Sequence, residues 1–166
     1  MSEKQNPEEI LLRGESVQFS TTGYSMYPLL NPDKKDQVIV VPLGERKPRR
    51  GDVILYRRDG EKGSTDAEGF AEGFAEGILV LHRVHHRKGD AYYFVGDNQN
   101  QVEGPLRRDQ MRGIMTHRVR GGKRMSVKNV LYVASTGLWL MVCPIRPKIM
   151  RAAEIVKNCL TGKKKR

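Results

Sequence analysis

Val17-Gln18-Phe19-Ser20-Thr21-Thr22-Gly23-Tyr24-Ser25-Met26-Tyr27-Pro28 sets the reading of the whole chain. Its first five residues alternate apolar with polar, the period of a strand with one buried face. The alternation stops at Gly23, where a residue without a Cβ allows a tight turn, and Pro28 stiffens the exit. Ser25 therefore sits in a turn at the end of a strand.

Working outward, Gln37 to Val41 is apolar and β-branched, and Val53 to Arg57 follows a Gly51-Asp52 turn. Ile78 to Val84, Ala91 to Val95 and Gly113 to Val119 are further strand candidates, while helix signals are nearly absent before Asn129. Residues 17–128 are thus expected to be mainly β, a domain of short antiparallel strands joined by turns. An N-terminal segment, residues 1–16, precedes it, with a short helix over Ile10 to Arg13.

Inside this body, Ala67-Glu68-Gly69-Phe70 recurs as Ala71-Glu72-Gly73-Phe74 and again as Ala75-Glu76-Gly77-Ile78. A four-residue period is too short for a solenoid unit, and glycine at every fourth position opposes a helix. Residues 59–77 read as a low-complexity loop inserted between two strands of a hairpin.

The segment 129–166 changes character. Val130 to Cys143 is apolar but too short to span a bilayer, and Pro144 closes it. Beyond it Ile145, Ile149, Ala152, Ala153, Val156 and Leu160 fall at helical spacing with basic residues between them, which predicts a C-terminal helical hairpin or amphipathic helices.

The formal net charge of the 166 residues is +11, with 38% hydrophobic and 30% charged residues. That is enough apolar material for one compact core and too little for a membrane bundle. Arg146, Lys148, Arg151, Lys157, Lys163, Lys164, Lys165 and Arg166 stand against Glu154 alone, so most of the excess lies on the tail. Lipid headgroups and nucleic acid are both anionic. Charge gathered on an amphipathic tail, rather than spaced along a reading helix, favours an anionic membrane surface over nucleic acid.

Cys143 and Cys159 make no disulfide framework and fit a reducing compartment. Met1 to Glu9 is polar and acidic, with neither the basic nor the apolar region of a secretory signal. These readings place the chain in the cytoplasm or peripherally on the cytoplasmic membrane.

A serine hydroxyl is a poor nucleophile until a base takes its proton. Two later stretches offer the missing chemistry: Leu81-His82-Arg83-Val84 carries an imidazole on a strand, and Gly96-Asp97-Asn98 carries a carboxylate in a turn. A neutral imidazole accepts a proton near neutral pH without strong desolvation. The Ser25 backbone N–H is positioned by its turn to face an oxyanion. His85 and His86 add imidazoles, but His82 and His85 alternate across a strand and no cysteine or further ligand accompanies them. No metal and no other cofactor is expected.

In their order, these stretches resemble the sequence blocks of the type I signal peptidases and their self-cleaving relatives. Gly23-Tyr24-Ser25-Met26-Tyr27-Pro28-Leu29-Leu30 looks like the nucleophile box, and Arg50-Gly51-Asp52-Val53-Ile54 like the strand after it. Leu81-His82-Arg83-Val84 is similar to the general-base box, with histidine where bacterial enzymes carry lysine. That variant occurs in the archaeal, endoplasmic-reticulum and sporulation-type branch. Tyr93-Phe94-Val95-Gly96-Asp97-Asn98 and Gly113-Ile114-Met115 resemble the closing blocks, and the likeness runs from about Val17 to Val119.

The resemblance implies a signal-peptidase-like β-domain and a serine endopeptidase acting on an extended peptide, leader or preprotein segment. Ser25 would be the nucleophile and His82 the base. Asp97 or Glu103, which stands six residues later, would orient the imidazole. Gly23, Tyr24, Met26, Pro28 and Leu81 would shape the oxyanion and substrate site. Two other classes compete: a regulator of the SOS and phage-repressor type, and a catalytically inactive membrane-surface domain. The first would bring a helix-turn-helix and an Ala-Gly-like cleavage site, and the residues before Ser25 hold neither.

Overall fold

The computed structural model describes residues 6–59 and 77–141. Residues 67–76 of the tandem repeat, both cysteines and the basic segment beyond Met141, which is expected to be amphipathic, lie outside the described residues.

The first described element is a helix, α1 (Pro7–Leu12), which starts three residues earlier than the apolar spacing suggests. The capping residues explain the difference: the Asn6 side chain accepts from the Glu8 N–H at 3.1 Å, and Pro7 fills the first turn, where no N–H is needed. Glu8 is buried and ion-paired to Arg57 and to Arg112, the latter at 2.6 Å, which ties α1 to the sheet.

The mainly β expectation is met. Eight strands form one antiparallel sheet: β1 (Val17–Ser20), β2 (Gln37–Pro42), β3 (Val53–Arg57), β4 (Leu79–Lys88), β5 (Ala91–Val95), β6 (Glu103–Leu106), β7 (Met111–Arg120) and β8 (Lys123–Ser126). Their spatial order is β1-β2-β7-β3-β4-β5-β6, and β8 pairs with β7. Bulges interrupt the β2–β7, β3–β7, β4–β5 and β5–β6 pairings, and each adds local bend and twist.

That curvature explains the composition of β3. Val53-Ile54-Leu55-Tyr56 is a continuous buried run, because both of its faces meet apolar side chains. Val53 and Leu55 join Leu11, Val17, Met26, Leu30, Val38, Val40, Leu81 and Met115 in one core. Ile54 and Tyr56 join Leu43, Val84, Tyr92, Phe94, Leu106 and Met111 in the other. Each such apolar side chain contributes about 1.5–3 kcal/mol on leaving water.

β3 and β4 pair antiparallel, Ile54 opposite His82 and Val53 opposite Arg83, and the Arg58 N–H donates to the Ile78 carbonyl at 2.9 Å. The insertion expected over 59–77 therefore joins two paired strands. After β8 comes a helix, α2 (Val130–Met141). Among the described residues no helix is long and apolar enough to cross a membrane.

Candidate active site

Ser25 and His82 line the same cleft, of about 390 Å³, with Phe19, Gly23, Met26 and Leu81. Ser25 reaches it from the turn after β1. His82 reaches it from the middle of β4, where burial leaves the residue 2% exposed. The turn is held from both sides: the Tyr27 N–H donates to the Tyr24 carbonyl at 3.0 Å, and the Asn98 N–H donates to the Ser25 carbonyl at 2.8 Å. Nucleophile and base candidates thus come together across two strands far apart in sequence.

The imidazole Nδ1 faces an acid, and that acid is Glu103. Nδ1 lies 3.6 Å from Glu103 Oε1, an ion-pair distance, and 3.2 Å from the Tyr56 hydroxyl. Tyr56 Oη donates to Glu103 Oε2 at 2.6 Å. Tyr56 therefore bridges the imidazole and the carboxylate, and Arg58 closes the cluster by ion-pairing Glu103 Oε1. Burial and the hydrogen bond to Glu103 push the Tyr56 phenol well above its ordinary range, so it stays a donor.

Burial alone would raise the Glu103 carboxyl, but His82, Tyr56 and Arg58 together hold it down to about 2. A carboxylate lowered in the folded state stabilises the fold above its unfolded value, and that stabilisation fades as pH falls toward the folded value. Wild-type stability is accordingly expected to decline between about pH 4.5 and pH 2 more steeply than that of Glu103→Gln. Urea melts of the two proteins across that window measure the difference in slope, and parallel curves would remove Glu103 as the charged partner of His82.

Asp97, the other candidate for this role, is engaged elsewhere. Both of its oxygens take hydrogen bonds from Arg83, Nε to Oδ1 at 2.7 Å and Nη2 to Oδ2 at 2.6 Å, and the pair is 2% and 1% exposed. His82 and Arg83 are successive residues of β4, so they point to opposite faces of the sheet. An acid fixed on Arg83 is on the wrong face to orient His82.

The substrate-site candidates also divide. Gly23, Met26 and Leu81 line the cleft. Tyr24 instead donates its hydroxyl to Asp33 at 2.5 Å, and Pro28 lines a separate cavity with Arg83, Asp97 and Trp139. Gly23 is not the glycine that the turn demands, because a Cβ there would meet nothing within 4 Å. That requirement falls on Gly96, where a Cβ would lie 2.7 Å from the Ser25 carbonyl oxygen.

Sequence reading passed over Tyr56, Arg58 and the role of Arg83. The signal for Arg83 was present: a cation in the apolar first half of a strand, between Leu81 and Val84, needs an acid beside it if it is buried. Tyr56 gave no such sign, since a tyrosine in an apolar strand is ordinary core. His85 and His86 contact each other, Nδ1 to Nδ1 at 2.8 Å, and His86 stacks on Tyr93. Among the described residues no group of three or more His, Cys, Asp or Glu is placed to hold a metal ion.

No family model matches the chain, and no curated protein or solved structure matches it either.

Proposed function

We propose that this protein is a serine endopeptidase in which Ser25 attacks the scissile carbonyl and His82 takes its proton. The observation that carries the reading is the shared cleft of Ser25 and His82, with His82 Nδ1 turned to Tyr56 and Glu103. An imidazole anchored through Nδ1 leaves Nε2 as the proton acceptor. Glu103 stabilises the imidazolium as it forms, and Tyr56 fixes the ring between them. The Ser25 N–H donates to the developing oxyanion. His82 then protonates the leaving amine and activates the water that releases the acyl group.

The motif order supports a peptidase of the signal-peptidase type working on an extended segment. Such a segment would lie as an added strand along the cleft between β1 and the first half of β4. Phe19, Met26, Leu55 and Leu81 give that cleft apolar lining. The test is a peptide-library cleavage profile of wild type beside Ser25→Ala. A defined set of scissile bonds with small flanking residues is expected from wild type only. Cleavage by both proteins, or by neither, would end the proposal.

Tyr56→Phe removes the hydroxyl between His82 and Glu103 while keeping the ring against Phe94. Its expected effect is a fall of about 10–100-fold in kcat with KM within about twofold, because the loss is of orientation and not of substrate contact. Steady-state kinetics on a peptide from the library measure it. An unchanged kcat would leave Glu103 acting on His82 without the bridge.

Partner and location follow the same reading. An anionic membrane surface would engage the basic tail, placing the enzyme at the cytoplasmic face. Val130, Val133, Leu138 and Met141 of α2 are exposed apolar residues, which supports such docking. Sedimentation with vesicles containing phosphatidylglycerol, and its absence with neutral vesicles, is the expected result.

A further inference from the structure

Tyr132, Thr136 and Trp139 follow one another at helical spacing of four and three residues, so they share one face of α2. All three converge on the Arg83–Asp97 pair. Arg83 Nη1 donates to Tyr132 Oη at 3.2 Å, to Thr136 Oγ1 at 3.4 Å and to the Gly51 carbonyl at 2.8 Å. The indole Nε1–H of Trp139 donates to the Asp97 carbonyl at 3.0 Å. The next residue, Asn98, gives its N–H to the Ser25 carbonyl at 2.8 Å. A continuous path of bonds therefore runs from α2 through the Gly96-Asp97-Asn98 turn to the backbone of Ser25.

The turn has no slack in which to absorb a shift. A Cβ at Gly96 would stand 2.7 Å from the Ser25 carbonyl oxygen and 2.6 Å from Gln99 Oε1, so the two backbones are already at contact. Asp97 is clamped at both ends, its carboxylate by Arg83 and its carbonyl by Trp139. Release of the carbonyl frees the peptide plane between Asp97 and Asn98, which is the plane that carries the N–H to Ser25.

We propose that Trp139 is a positioning residue for the nucleophile: docked α2 holds the Asp97–Asn98 peptide, and that peptide sets the Ser25 backbone. The proposal rests on the peptidase reading for its catalytic consequence, while its structural half stands apart from it. It makes α2 part of the catalytic apparatus although none of its described side chains lines the cleft.

The test replaces Trp139 by β-(3-benzothienyl)alanine, which keeps the shape of the ring and exchanges the N–H for sulfur, with Trp139→Phe as a second variant. Acylation is followed with the p-nitrophenyl ester of acetyl-Ala-Ala-Ala as probe, from the nitrophenolate burst and the mass of the Ser25 adduct. Exchange of the Asn98 amide is followed by NMR. Loss of one hydrogen bond is expected to slow acylation about tenfold and to speed Asn98 exchange by a similar factor, with the thermal midpoint little changed. A normal acylation rate in both variants, or unchanged Asn98 exchange, overturns the proposal. A lower thermal midpoint with normal acylation overturns it too, since that is what a merely structural tryptophan produces. Absence of any Ser25 adduct in wild type counts against the peptidase reading instead, and Asn98 exchange then decides the clamp alone.

Discussion

Ser25→Ala is expected to reduce peptide cleavage by at least about 10⁴-fold while leaving thermal stability within about 0.5 kcal/mol of wild type. The asymmetry follows from where the oxygen sits. Ser25 is half-buried at the cleft, and its turn is held by backbone bonds from Asn98 and within residues 24–27. Those bonds survive loss of the hydroxyl. His82→Ala should cost a comparable factor in rate, and the double variant should be hardly slower than either single one, because base and nucleophile act as a unit. His82→Ala should also destabilise, since it leaves Tyr56 and Glu103 facing a cavity. Single-turnover cleavage and urea melts of the three variants measure both effects. Additive losses in the double variant would mean that Ser25 and His82 do not share a step.

The parts of this arrangement legible in the sequence are those written in local pattern. β1, β2, β3, β5 and most of β4 and β7 were readable because runs such as Gln37 to Val41 and Val53 to Arg57 have strand composition between turn residues. Two strands escaped. β6, Glu103-Gly104-Pro105-Leu106, has neither alternation nor β-branched residues, and it holds a proline that only an edge strand tolerates. Gly104 adopts a φ of +134° there, a conformation that side chains rarely allow, and a Cβ would stand 2.8 Å from the Tyr92 carbonyl oxygen. β8, Lys123-Arg124-Met125-Ser126, is too polar to announce itself, although the Gly121-Gly122 pair before it is a hairpin signal.

The site divides in the same manner. Ser25 and His82 were legible as residues in recognisable company. The choice between Asp97 and Glu103 was not, because it depends on which face of the sheet each acid reaches. Glu103 gets there by pairing: β6 sets it opposite Phe94 of β5, beside Tyr56, whose ring lies tilted against Phe94 with centroids 4.7 Å apart. Sequence distance carries no trace of that register, and the bulge between Tyr92 and Phe94 shifts it further.

β4 consequently does two jobs with adjacent residues. His82 on one face lines the cleft and is the proposed base, and Arg83 on the other holds the buried Asp97 carboxylate beneath α2. A one-residue slip of β4 against β3 would exchange them, placing the guanidinium in the cleft and the imidazole under α2. The Ile54–His82 and Val53–Arg83 pairings guard against this, since Ile54 and Val53 lie in different cores.

That division makes Asp97 the site of the largest expected loss of stability. Arg83 is 2% exposed, and burial would lower its guanidinium, but the Asp97 carboxylate more than reverses this and keeps the group charged. Asp97→Ala leaves that charge without its carboxylate in a buried setting, where the Gly51 carbonyl, Tyr132 and Thr136 are its remaining acceptors among the described residues. Breaking a buried pair from one side costs about 3–5 kcal/mol, a large share of the roughly 5–15 kcal/mol that holds a domain together. Arg83→Met together with Asp97→Ala removes both charges and should recover most of the loss, because an apolar pair of similar volume has no desolvation to repay. Urea unfolding of the two single variants and the double gives the coupling directly. If Asp97 were instead the acid that orients His82, Asp97→Ala would lower kcat in a protein of nearly wild-type stability, and Arg83→Met would recover nothing.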